Sequence, residues 1–123
     1  MNKGVSVWDA AAGLQEKWSP RVIAEVDDVY VKVAKVHGQF VWHSHENEDE
    51  FFLVLKGRLR IELDAGTVEL GEGDSFVVPK GTRHNPVADN ECHVMLIERK
   101  STLHTGDAVT DKTRSIEEQL RPL

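Results

Sequence analysis

Through the middle of this chain apolar and polar residues change places at every second position, and the alternating stretches are cut short by turn-forming residues. Val29, Val31 and Val33 alternate with Tyr30, Lys32 and Ala34, while Leu59, Ile61 and Leu63 alternate with Arg58, Arg60 and Glu62. A period of two belongs to β-strands. Turn signals recur at Asp27-Asp28, His37-Gly38, Lys56-Gly57, Asp64-Ala65-Gly66, Gly71-Glu72-Gly73-Asp74, Pro79-Lys80-Gly81 and Asp89-Asn90. Seven or more short strands with no long helix between them cannot form a parallel βαβ sheet. The pattern therefore predicts an all-β fold, an antiparallel sandwich or barrel.

The flanks read differently. Ser6-x-x-Asp9 followed by Ala10-Ala11-Ala12 is a helix start, and Ser19-Pro20 is a stop, so Val5 to Trp18 is expected to hold one short helix or a pair of turns. From about Thr105 to Leu123 the chain is polar and weakly periodic, with one helical turn expected over Ile116 to Leu120, in a loosely held terminus or else a subunit-contact arm. A length of 123 residues suits a single domain, 1–123, with its barrel core at about 21–100. Fifteen Lys and Arg against 21 Asp and Glu leave a net charge of -6, which repels phosphate backbones and anionic lipid. No nucleic acid and no membrane is expected as a partner. No apolar run approaches the roughly 20 residues that cross a bilayer. The single cysteine, Cys92, forms no internal disulfide, and the start Met1-Asn2-Lys3-Gly4-Val5 has no apolar signal stretch behind it, so a cytoplasmic protein is expected.

Chemistry concentrates in two places. His43-Ser44-His45 sits in a run whose neighbours Phe40 and Val41 suit a strand, where residues two apart project to one side with Cα atoms roughly 6.6 Å apart. Taken alone, such a pair is more often a solvated face than a ligand pair. Most of the acids in Glu46-Asn47-Glu48-Asp49-Glu50 belong to a turn, but Glu50 opens the apolar run Phe51 to Leu55, where its carboxylate faces back toward the histidines. His84 follows the rigid Pro79-Lys80-Gly81 turn, which brings it in from a distant strand or leaves it an ordinary loop histidine.

These residues resemble the two motifs of the cupins. The first motif is matched by Gly38, His43, His45, Glu50 and Gly57, and the second by Gly73, Pro79, Gly81 and His84. Two departures stand out: four residues rather than the usual five separate Gly38 from His43, and Ala88 replaces the Asn often found four positions after the last histidine. The resemblance implies a double-stranded β-helix (jelly-roll) barrel with a short N-terminal helical segment. It also implies that His43, His45, Glu50 and His84 bind one divalent metal. Three imidazoles and a carboxylate suit Fe, Ni, Zn, Mn or Cu and leave open coordination places for water or substrate. A small-molecule ligand or substrate is expected, and a homodimer, since small cupins often pair through barrel edges.

By parity Val41 shares the side of His43 and His45, and Phe52 and Val54 share that of Glu50, so these should line the cavity. Phe40, Trp42 and Phe51 should face outward. Along Cys92 to Glu98 the alternation leaves open which set faces in. His93 and Tyr30 are the candidate acids or bases beyond the ligands, Arg83 is either an anion-attracting group or a solvated turn residue, and His37 and His104 fall outside the site. Cys92 has no basic neighbours and reads as a small apolar residue. The expected function is that of a small metal-dependent enzyme acting on a polar small molecule, dioxygenase- or isomerase-like; the alternative is a non-catalytic module that binds a metabolite or sugar.

Overall fold

In the computed structural model, which describes residues 4–123, seven strands form one antiparallel sheet that curls around an apolar interior. Met1, Asn2 and Lys3, part of the start read as free of an export signal, lie outside the described residues. The strands are β1 (Arg21–Val26), β2 (Val29–Gln39), β3 (Glu50–Lys56), β4 (Leu59–Leu63), β5 (Gly66–Leu70), β6 (Ser75–Val78) and β7 (His84–Arg99). They run in the order β1-β2-β7-β3-β6, with β4 joining β5 to the first part of β7. The fold is the expected all-β jelly roll.

Strand β7 organises the barrel because it changes partners along its length. Residues His84 to Val87 pair with β4, and residues His93 to Ile97 pair with both β2 and β3. The turn signal at Asp89-Asn90 does not end the strand. Nor does His37-Gly38, where β2 runs on through a register shift with Gly38 at φ 83°. Gly and Asx residues there mark irregular pairing, which relieves the twist of a closing sheet.

Burial settles the parity that sequence left open. Ala34 and Val36 of β2, Phe52 and Val54 of β3, and Cys92, Val94 and Leu96 of β7 belong to one interior cluster. Lys32 and Glu98 share that parity, and both are buried. The outer face of the same sheet is covered by helix α1 (Val7–Ala12) and the turn after it, where Ala11 of the helix and Leu14 of the turn pack on Val33 and Leu55. Ser6 caps this helix as its sequence predicts, accepting from the Asp9 backbone N–H at 3.2 Å.

The C-terminal segment departs from expectation. It is not loosely held: Thr102, His104, Thr105 and Gln119 are buried. Helix α2 (Ile116–Gln119) carries a complete capping box between Ser115 and Glu118. Gln119 Oε1 accepts from Lys32 Nζ at 2.6 Å, and Lys32 Nζ lies 2.7 Å from Glu98 Oε1. That last contact lacks hydrogen-bond alignment, since neither Glu98 oxygen has an aligned donor. A polar tail binds here because the barrel interior offers it a buried charge, a signal apolar periodicity does not carry. No helix of the described residues is long and apolar enough to cross a membrane.

Candidate metal centre

His43, His45, Glu50 and His84 are all buried, and one potential ligand atom from each falls within 4.8 Å of the others. The segment holding His43 and His45 is not the continuous strand expected. Strand β2 ends at Gln39, and His43 is fixed by an isolated bridge to His84 through two backbone hydrogen bonds of 2.9 and 3.0 Å. Glu50 opens β3 and His84 opens β7, so three elements converge. The loss of strand geometry also moves the neighbours: Phe40, expected outside, is buried against His43 at 5.5 Å between ring centres, whereas Val41 turns its carbonyl to the site. Trp42 faces outward as expected, with the Arg83 guanidinium 5.2 Å from its ring centre.

The donor set fits a cation. His43 Nδ1 lies 2.8 Å from the Val41 carbonyl and His84 Nδ1 lies 2.9 Å from the Thr82 carbonyl. A carbonyl only accepts, so each Nδ1 carries the hydrogen and each Nε2 holds a lone pair, the arrangement that second-sphere bonds impose on metal-binding imidazoles. His43 Nε2 and both nitrogens of His45 are buried with no hydrogen-bond partner. His84 Nε2 faces Glu50 Oε1 at 3.3 Å. With Nδ1 protonated, two acceptors face each other across that gap, and a proton or a cation must lie between them. His45 Nε2 stands 3.5 Å from the same carboxylate oxygen.

Electrostatics follow from this crowding. Burial, helped by the neighbouring His84, lowers the pKa of His43 to about 4, so it stays neutral and competent to donate its lone pair. For His45 burial opposes the charge, but the Glu50 carboxylate outweighs it and the pKa rises. Burial likewise opposes ionisation of Glu50, yet the His45 and His84 imidazoles that face it hold it well below the ordinary carboxylate value. Without a metal, a proton on His45 partly neutralises Glu50.

An inner cavity of about 40 Å³ borders His43 and Glu50. Its walls are largely apolar, among them Phe40, Phe52 and Leu96, with His104 as a further polar member. A wider, polar pocket of about 280 Å³ borders His45 and includes Ser44, Glu48 and Asp107. Several outcomes differ from the sequence reading. His104, left outside the site, lines the inner cavity. Val54 belongs to the core beside it. His93, a candidate base, has outward parity and pairs with Glu91 at 3.0 Å. Tyr30 packs beside Lys32 and Lys100 and does not line the cavity. Lys32 and Glu98 are functional neighbours that the sequence does not reveal, because Lys32 fits the period-two alternation as an ordinary outward polar residue and only its burial shows otherwise. Burial and then the nearby Glu50 charge raise the pKa of Glu98 to about 8. Cys92 is buried, with its thiol pushed up to about 12 by burial, an unreactive side chain as expected.

Comparison with known proteins matches the cupin domain model to residues 29–98. The chain is 39% identical over 85 residues to the uncharacterized protein YdbB of Bacillus subtilis (strain 168), covering 68% of this chain and 75% of that one. A crystal structure of a cupin-2 domain containing protein from Shewanella frigidimarina NCIMB 400 superposes with a TM-score of 0.76 at 42% identity, covering 78% of this chain and 94% of the other. Hydroquinone 1,2-dioxygenase from Sphingomonas sp. TTNP3, with 4-hydroxybenzoate bound, shares the fold at a TM-score of 0.67 and 16% identity, covering 79% and 74% of the two chains.

Proposed function

The chain belongs to the cupin domain family, and from that premise we propose that it is a metal-dependent enzyme acting on a small molecule at His43, His45, Glu50 and His84. The observation that carries this reading is the set of buried ring nitrogens with neither a hydrogen-bond partner nor access to solvent, gathered around one carboxylate. Leaving such groups unpaired costs about 1–3 kcal/mol each. One divalent ion would satisfy His43 Nε2 and one nitrogen of His45 together.

Bound there, a transition metal supplies Lewis acidity or, if redox-active, oxygen chemistry at its open coordination places. The protein's own residues do the rest. Val41 and Thr82 hold two imidazoles in the donating tautomer, Glu50 contributes the anionic ligand, and the apolar walls around Phe40, Phe52 and Leu96 keep water from the reacting end of the substrate. The small inner cavity admits only a slim end of a molecule, and the rest of a polar substrate stays outside it. A dioxygenase-like or isomerase-like reaction is the chemistry proposed at this donor set.

The test is elemental analysis of untagged protein purified without added metal. About one Fe, Ni, Zn, Mn or Cu per chain is expected, and Glu50→Gln should lose most of it because a neutral amide oxygen is a poor ligand. Stoichiometric metal retained by Glu50→Gln refutes the ligand assignment. Redox-active metal directs the search to oxygen consumption, and redox-inert metal directs it to isomerisation.

A further inference from the structure

The inner cavity beside His43 and Glu50 is walled by buried residues with one exception. Among the described residues that line it, Trp18 alone is part-exposed, while Pro20, Phe40, Phe52, Pro86 and His104 are among those sealed from solvent. The part of the wall nearest solvent is therefore the indole itself. Its position is fixed from three sides. The Trp18 backbone N–H donates to the Lys35 carbonyl at 2.9 Å, indole Nε1–H donates to the His37 carbonyl at 2.9 Å, and the ring stacks on Phe40 at 4.7 Å and 19°. The backbone of Trp18 is left-handed, with φ 57°. A bulky residue rarely takes that conformation, and it persists only where the surroundings over-determine it, as these contacts do. Strain of this kind collects at ligand clamps and other functional positions.

We propose that Trp18 is the specificity-determining residue at the mouth of the inner cavity: a short apolar end of the substrate enters past the indole and lies against it, and the bulk of the indole keeps wider ends out. The inference rests on the reading above that this cavity receives the reacting end of the substrate. The walls decide the class of that end. Ala34, Val36, Leu59 and Val94 line the cavity with hydrocarbon, so a polar group brought there is buried without a partner, whereas an alkyl end loses nothing. A volume of about 40 Å³ holds roughly three water-sized groups, enough for a short alkyl chain and too little for a six-membered ring. Removing the indole joins the cavity to solvent. Truncating a buried wall enlarges the cavity and leaves it shut, and that difference separates a door from a packing residue.

Xenon and benzene test this, one small and one of ring size. Each is titrated into the full chain labelled with carbon-13 at the valine and leucine methyls, metal-free and after incubation with zinc, and the methyl signals of Val36, Val94 and Leu96 report on the cavity. In the parent, xenon should shift those signals saturably and benzene should leave them in place up to its solubility. Trp18→Ala should admit benzene in rapid exchange. Leu59→Ala enlarges the cavity from a buried wall and should take up benzene at least about tenfold more slowly or not at all, because entry behind a closed door waits on local opening. Trp18→Leu keeps an apolar side chain against Phe40 and should also admit benzene; it carries the comparison if the alanine variant does not fold. Benzene in the parent cavity, xenon absent from it, benzene excluded by the folded Trp18 variants, or equally fast exchange in Leu59→Ala overturns the proposal. Zinc counted on the same samples separates the two readings. One zinc per chain with benzene entry indifferent to Trp18 removes the door alone, and entry governed by Trp18 in a chain that takes up no zinc removes the metal centre alone.

Discussion

Gly106 joins the C-terminal segment to the metal centre, and replacing it tests whether that segment positions the ligands. Its backbone has φ 58°, and a Cβ built there would overlap the Ser44 carbonyl oxygen and come within 2.9 Å of His43 Cδ2. The approach is tight because the strands of contact on both sides are bonded: Asp107 N–H donates to the Ser44 carbonyl at 3.1 Å, and Ser44 N–H donates to Asp107 Oδ1 at 3.0 Å. Ser44 itself lies between His43 and His45. Gly38 is the control, since it also has positive φ, 83°, but a Cβ there meets nothing within 4 Å. Placing alanine in left-handed backbone costs about 1–2 kcal/mol, which is all that Gly38→Ala should show. Gly106→Ala adds overpacking against backbone that cannot rotate away, another 1–3 kcal/mol or so, for a total of about 2–5 kcal/mol. The assay is urea unfolding of the metal-free proteins, with an unchanged m value showing that stability alone has moved. Zinc affinity by chelator competition supplies a second reading, weakened in Gly106→Ala and unchanged in Gly38→Ala. If the two variants unfold within about 0.5 kcal/mol of each other, a margin set by ordinary surface substitutions, the close approach at Gly106 is not real and the argument for the segment fails.

Two further perturbations follow from the buried charges. Lys32→Met leaves the buried Glu98 carboxyl without the ammonium that faces it; in urea unfolding at about pH 9, where Glu98 with its pKa of about 8 is ionised, this should cost about 3–5 kcal/mol, and adding Glu98→Leu should recover most of it, since an apolar pair replaces a buried ion pair at little cost. Costs that simply add in the double variant would deny the pairing. Acidification of the metal-free protein acts through His43 and His104, whose folded pKa values of about 4 lie below the unfolded value of roughly 6.5. The unfolded chain takes up protons that the folded one refuses, so stability falls as pH drops from about 6.5 to 4, by up to about 3 kcal/mol per group. His45 works in the opposite direction: its raised pKa contributes stability below pH 6.5 or so that is lost as pH rises through the folded value, and offsets part of the slope. Glu50, held low, contributes stability present above its ordinary value of about 4.5 that is lost only at lower pH. Urea titrations at pH 7, 5.5 and 4.5 should show the decline, with His104→Gln flattening it; a flat profile for the parent chain would refute the burial of both rings.

Local chemistry determined much of this protein before any folding was considered. Period-two alternation and closely spaced turns restrict the chain to antiparallel strands, because side-chain direction in a strand is a property of neighbouring residues alone. The two motifs around His43 and His84 carry the cupin resemblance for the same reason: they are local spacings, and the four residues they name do converge. Tertiary structure decided what depends on contacts distant in sequence. Alternation along β7 defines two faces but assigns neither to the interior, and only the pairing of β7 with β2 and β3 turns Leu96 and Glu98 inward and His93 out. Phe40 passed from outside to inside because β2 stops at Gln39, and parity has no meaning once a strand ends. Lys32 meets Gln119 at a sequence separation of 87, and His104 reaches the cavity from the edge of a segment whose composition reads as a loosely held terminus. A buried polar contact depends on which distant group arrives to satisfy it, and that information resides in the closed barrel rather than in any window of the chain.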